Sequence, residues 1–164
     1  MSGDIVLRNQ QRIRGIQPAF LRRIVVAVLN KMPEVLEFEI GIHLVSQSRM
    51  EKLNEAFLQH QGSTDVITFD YSDITRPNWL AGDIFICVSE AVDQARVFGT
   101  SWQSEVVRYV AHGILHLRGY DDHSAREKKK MKREEDRIVG ELACEFDLKQ
   151  IDKHRKSSLP RRPR

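Results

Sequence analysis

Three of the six histidines in this 164-residue chain fall within twelve positions, in the run His112-Gly113-Ile114-Leu115-His116-Leu117-Arg118-Gly119-Tyr120-Asp121-Asp122-His123. His112 and His116 are four positions apart on a predicted helix, so their imidazoles share one face and can converge on a single ion. Gly119 tolerates positive φ and can turn the chain sharply, which returns His123 toward the same ion. A histidine pair at this spacing is, taken alone, commonly a solvated helix face. The third histidine, just beyond a helix-ending glycine, selects the metal reading. Three neutral imidazoles with an open fourth position describe a catalytic zinc centre, one Zn2+ per chain, at which bound water is acidified to a pKa of roughly 7.

The spacing is close to that of the HExxHxxGxxH zinc proteases, but Gly113 stands where those enzymes need a glutamate as general base. Glu105 lies on the same helix face seven positions earlier, about 10 Å away along the axis, too far to serve instead. It reads as a charge on a polar face near Arg108. Peptide hydrolysis by that route is therefore disfavoured.

The elements that must hold these groups follow from periodicity. Asp4 to Leu7 reads as an opening strand, and Pro18 begins a helix with an apolar face at Phe20, Leu21, Ile24, Val25, Val28 and Leu29. From Leu36 the pattern alternates through Phe38, Ile40, Ile42 and Leu44, a half-buried strand. Ser46 or Ser48 caps a helix carrying Met50, Leu53 and Phe57, and His60 to Ser63 is a loop. Val66 to Tyr71 and Ile84 to Val88 are strands around a turn at Asp73 to Asn78. Ser89 caps a helix through Phe98. Thr100 and Gln103 have capping-box spacing before the histidine helix, and Ser124 and Glu127 repeat it before a last helix that buries Met131, Ile138 and Leu142. Strands early and helices late predict an α+β fold: a small mixed four-stranded sheet covered by about five helices, with the metal site at a helix end.

Composition sets the outer bounds. Apolar residues make up 41% and charged residues 30%, enough for a packed core and against wholesale disorder. The longest strongly apolar run, Ile24 to Leu29, is far short of a membrane span, and no secretory signal is visible. Cys87 and Cys144 form no CxxC, which suits reduced buried thiols in a cytoplasmic protein. The net charge of +3 divides unevenly. Residues 149–164 hold seven Lys and Arg against Asp152, a surplus of +6, which leaves −3 for residues 1–148. The chain thus reads as one domain, 1–148, followed by a basic, disordered tail, 149–164.

The run His112 to His123 resembles the HGxLHLxGYDH signature of the YbeY family of bacterial endoribonucleases, which act in ribosomal RNA maturation. Thr64-Asp65-Val66-Ile67-Thr68-Phe69 resembles the family's TDVLSF segment, and Gly82-Asp83-Ile84 its GDI strand. Order and separation agree over roughly residues 35–140. The resemblance implies a four-stranded α+β fold and zinc held at His112, His116 and His123. It also implies a single-strand-specific endoribonuclease whose partners are ribosomal RNA and ribosomal particles, with no membrane role.

Two departures matter. Asp121-Asp122 replaces the family's single aspartate, so His123 falls eleven rather than ten positions after His112; Asp121 or Asp122 as an oxygen ligand is the alternative. Leu58 occupies a position where the family often carries an RNA-contacting arginine, which shifts any basic role to His60 or Arg118. The catalytic candidates are Asp65, His60 and Arg118, none of them a secure general base. Asp65 could accept a hydrogen bond from a ligand histidine or simply cap a turn; Asp83 reads as structural and Cys87 as core. Lys128, Lys129, Lys130, Lys132 and Arg133 form a solvated face that could also grip phosphates. Two other readings stay open: a metal-dependent peptidase-like hydrolase, and an RNA-binding ribosome-assembly factor with a structural zinc.

Overall fold

The computed structural model describes residues 1–58 and 64–154. Four strands, β1 (Ser2–Gln10), β2 (Glu37–Val45), β3 (Val66–Asp70) and β4 (Trp79–Cys87), form one mixed sheet in the order β1-β2-β4-β3. β1, β2 and β4 run parallel, and β3 is antiparallel to β4. Five helices accompany them: α1 (Pro18–Leu29), α2 (Gln47–Leu53), α3 (Val88–Phe98), α4 (Trp102–Leu117) and α5 (Ala125–Glu145). The α+β expectation of a mixed four-stranded sheet under five helices is met.

Strand alternation divides the sheet into two chemically different faces. Phe38, Ile40, Ile42 and Leu44 of β2 and Leu80, Ile84 and Ile86 of β4 all face one buried core, completed by α1, α4 and α5. On the other face a smaller cluster of Val45, Met50, Leu53, Ile67 and Cys87 lies under α2. The rest of that face carries polar groups. There His43 Nε2 lies 2.7 Å from Asp83 Oδ1, and Tyr71 donates its hydroxyl to Asp83 Oδ2 at 2.9 Å. Asp83 therefore points away from α4 and serves a structural pairing, because its neighbour Ile84 takes the core side.

Several local expectations shift. β1 and β4 are longer than their apolar runs suggested, because parallel pairing to β2 carries polar residues such as Asn9 and Asp83 into the ladder. Ser89 is not a cap: α3 starts at Val88 after Cys87, with no side-chain cap. Ser101, not Thr100, caps α4 by accepting from the Ser104 N–H. Thr100 instead donates its hydroxyl to Glu105 Oε1 at 2.7 Å, and Glu105 is buried rather than on a polar face. Cys144 is exposed, unlike Cys87. Phe57 falls in a π-helical turn, Asn54–Leu58, and is exposed.

The packed chain also continues beyond residue 148. Leu148–Ile151 forms a 3-10 turn, Ile151 is fully buried, and its carbonyl accepts from the Gln17 N–H at 2.7 Å. One apolar side chain amid basic residues is a weak signal in sequence but a complete anchor once it reaches the core. Residues 155–164, the remainder of the expected tail, lie outside the described residues. No helix among the described residues is long and apolar enough to cross a membrane.

Candidate metal centre

α4 is the element that carries the site. Its buried face includes Val106, Val107, Val110, Gly113, Ile114 and Leu117, which fixes the helix's rotation against the sheet. Gly113 permits close approach: a Cβ there would lie 2.5 Å from Ile84 Cγ2 and 2.9 Å from Cδ1. That contact gives the physical reason for a glycine between the histidines. Position 113 faces β4, so a glutamate there would be driven into the sheet. With Gly113 turned inward, His112 and His116 are partly exposed, each with side-chain exposure of 26%.

The helix ends as the sequence predicts. Gly119 adopts φ 93°, the Gly119 N–H bonds to the His116 carbonyl at 2.9 Å, and the Tyr120 N–H bonds to the Leu115 carbonyl at 3.0 Å. This pair of bonds is a Schellman closure, which needs a left-handed residue and so favours glycine. The chain then reverses and enters α5 through a capping box: Ser124 Oγ accepts from the Glu127 N–H at 3.1 Å, and Glu127 Oε2 accepts from the Ser124 N–H at 3.4 Å.

The two histidines face each other through Nε2 atoms 3.1 Å apart. Adjacent ligand atoms around a tetrahedral zinc with bonds of 2.0–2.1 Å lie about 3.3 Å apart, so this pair is already at ligand spacing. His112 Nδ1 is 2.8 Å from Glu135 Oε2. A carboxylate on Nδ1 fixes the proton there and leaves the Nε2 lone pair free for an ion. Glu135 is itself buried and held by Arg108, whose Nη1 lies 3.0 Å from Glu135 Oε1 and 2.6 Å from Asp136 Oδ1. A hydrogen bond to the Tyr120 backbone orients His116. The donor set therefore fits a divalent ion.

Electrostatics separates the two rings. Burial works against the charged form of His112, but the hydrogen bond and negative charge of Glu135 outweigh it and raise its pKa. Burial and the neighbouring His112 lower that of His116. The pair thus resists double protonation, as two imidazoles on one ion-sized gap must.

At the third position the structure brings Asp122 to the histidine pair. His112, His116 and Asp122 each place a ligand atom within 4.8 Å of the others, with His116 Nε2 to Asp122 Oδ2 at 3.7 Å. His123 is apart from this group: its side chain is 85% exposed and its Nε2 lies 3.3 Å from Asp121 Oδ1.

The remaining candidates divide. Asp65 is exposed and accepts from its neighbour's Val66 N–H at 2.9 Å, a turn-capping role, while its charge also reaches His112. Arg118 is tied to Glu34 at 2.6 Å, beside a cavity of about 320 Å³ lined also by Tyr120, Asp121 and Lys130. His60 lies outside the described residues. Lys128, Lys129, Lys130, Lys132 and Arg133 are exposed on α5.

The model of the endoribonuclease YbeY family matches residues 6–143. The chain belongs to the YbeY endoribonuclease family. Among YbeY endoribonucleases, that of Endomicrobium trichonymphae is 32% identical over 118 residues, covering 72% of this chain and 81% of its own. That of Flavobacterium johnsoniae is 39% identical over 103 residues, covering 63% and 72%. That of Myxococcus xanthus is 33% identical over 123 residues, covering 73% of this chain but 42% of the longer relative. The fold is also similar to a Thermotoga maritima protein solved in solution, with TM-score 0.57 and 24% identity over 93% of this chain and all of that one. YbeY-family membership places the chain among the hydrolases, with a candidate metal site at the end of α4.

Glu135 is the site residue that sequence reading missed. It sits twenty-three positions from His112, inside the charged stretch Lys128 to Arg137, where nothing local marks one acid as buried. The available signal was its register: Met131, Glu135, Ile138 and Leu142 share the buried face of α5. Replacing Glu135 with alanine should weaken divalent-metal binding by about 10–100-fold, the usual cost of removing the partner that orients a ligand histidine. Competition against a chromophoric chelator measures this directly, and wild-type affinity would refute the orienting role.

Proposed function

We propose that this chain is a zinc-dependent, single-strand-specific endoribonuclease acting in ribosomal RNA processing and ribosome maturation. The observation that carries the reading is the His112–His116 pair, two Nε2 atoms 3.1 Å apart on a partly open helix end in a YbeY-family domain. His112 and His116 would hold the ion, with a third ligand from the turn Asp121 to His123. The relatives' name, endoribonuclease, supplies RNA as the substrate class, and the family resemblance supplies ribosomal RNA.

A divalent ion at this position supplies Lewis acidity toward a phosphoryl oxygen and toward water. The protein's own groups do the rest. Glu135 keeps the proton of His112 on Nδ1, so that Nε2 remains a donor to the ion. Arg108 is neutralised by Glu135 and Asp136 and therefore serves the scaffold rather than the substrate. The exposed Lys128, Lys129 and Lys130 at the start of α5 would offer positive charge to an RNA backbone next to the site.

The peptidase alternative meets a steric objection, since position 113 faces Ile84 and has no room for a base. The test is cleavage of a single-stranded RNA by the purified chain, with and without chelator, beside His112→Ala. Cutting that chelator and the substitution both abolish supports the reading. Equal cutting by both proteins identifies a contaminating nuclease and overturns it.

A further inference from the structure

We infer that the third protein ligand of the metal centre is Asp122, so that this chain binds its ion through two imidazoles and one carboxylate rather than three imidazoles. The inference rests on the metal reading of His112 and His116 and adds the identity of the remaining donor.

Proximity is the first ground. Asp122 Oδ2 is 3.7 Å from His116 Nε2 and belongs to one compact group with both histidines, whereas His123 belongs to a different group formed with Asp121 and Asp122.

The conformation of the turn is the second ground. Asp121 and His123 pair with each other at 3.3 Å, and Asp121 Oδ1 also accepts from the Asp122 N–H at 2.7 Å. Of these three side chains, Asp122 is the one whose carboxylate groups with both histidine nitrogens. To exchange His123 for Asp122, the chain would have to slip by one residue.

Such a slip is opposed at both ends. At Gly119 the left-handed residue and its two backbone bonds set where α4 stops. At Ser124 the reciprocal capping box sets where α5 begins, which leaves His123 immediately outside the helix. The four residues between these closures, Tyr120 to His123, are too few to absorb a register shift without breaking one of them. Loss of a cap costs about 1 kcal/mol.

A carboxylate changes the chemistry of the centre. It offsets one unit of the ion's charge and adds a hard oxygen donor, a set that catalytic zinc accepts and that also suits iron(II) and manganese(II) better than three imidazoles do. Asp122 and His123 are both substantially exposed, at 38% and 85%, so either can be replaced without disturbing the core.

The experiment compares zinc affinity, by chelator competition, in the full-length wild type, Asp122→Ala, His123→Ala and His116→Ala, with thermal melts of the metal-free proteins as a folding control. Asp122→Ala should weaken zinc binding by more than about 100-fold, beyond the about 10–100-fold effect of an outer-shell partner. His123→Ala should stay within about threefold of wild type by the same standard, and Asp122→His should restore binding. Loss in His123→Ala with retention in Asp122→Ala overturns the assignment, as does equal loss in both or retention in both. If the wild type binds no zinc, or His116→Ala binds as well as wild type, the metal reading itself fails, a result distinct from those outcomes.

Discussion

His116→Ala is expected to leave the chain without bound metal and to reduce RNA cleavage by at least about 1,000-fold. The size follows from what the ion contributes: Lewis-acid stabilisation is worth several kcal/mol, and each 1.4 kcal/mol is tenfold in rate. His116 is the cleaner of the two histidines to test. His112 is bonded to Glu135 and thereby to Arg108, so its removal would also leave a buried carboxylate short of a partner. His116 has no such chain behind it, and its side chain is only partly buried. The variant should therefore fold, melt close to the metal-free wild type, and show no zinc by elemental analysis. Full occupancy in His116→Ala would remove it from the ligand set.

Gly113→Glu is expected to destabilise the domain by about 4 kcal/mol or more without conferring peptidase activity. A Cβ at this position already lies 2.5 Å from Ile84, a distance real Cβ atoms essentially never show. Overpacking alone costs about 1–3 kcal/mol, and a carboxylate forced among apolar side chains adds a desolvation cost. For a domain of this size the melting temperature should fall by about 10 °C or more. Gly113→Ala should show the smaller packing penalty alone. An unchanged melting temperature in Gly113→Glu would mean that α4 does not approach β4 this closely. Gain of peptide hydrolysis would reopen the protease comparison.

These two results bear on how the site is written in the chain. The histidine pair, the glycine that ends the helix and the capping box that starts the next one are all local features. Each depends on residues within one or two helical turns, so spacing alone exposes them. The same holds for β2, whose alternation is carried by its own side chains, and for Pro18 at the start of α1. Cap assignment was less legible. Thr100 and Ser101 are adjacent and chemically alike, and Thr100 was drawn off by Glu105, a buried acid whose environment only the packed helix supplies.

What the amino-acid sequence determined by itself, then, is that two imidazoles share a helix face beside a sharp turn, in an α+β domain that resembles YbeY endoribonucleases. Tertiary structure decided the rest. It crossed α5 over α4 so that Glu135 met His112. It turned Gly113 toward Ile84 and Asp83 to the opposite face of the sheet, and it brought an Asp122 carboxylate oxygen into one group with the two histidines. The physical reason is one of range. Helical and strand periodicities encode which residues share a face, whereas the packing of one face against another depends on side chains far apart in the chain. That Asp122 stands beside the histidine pair follows from the register of a four-residue turn, Tyr120 to His123, closed at both ends.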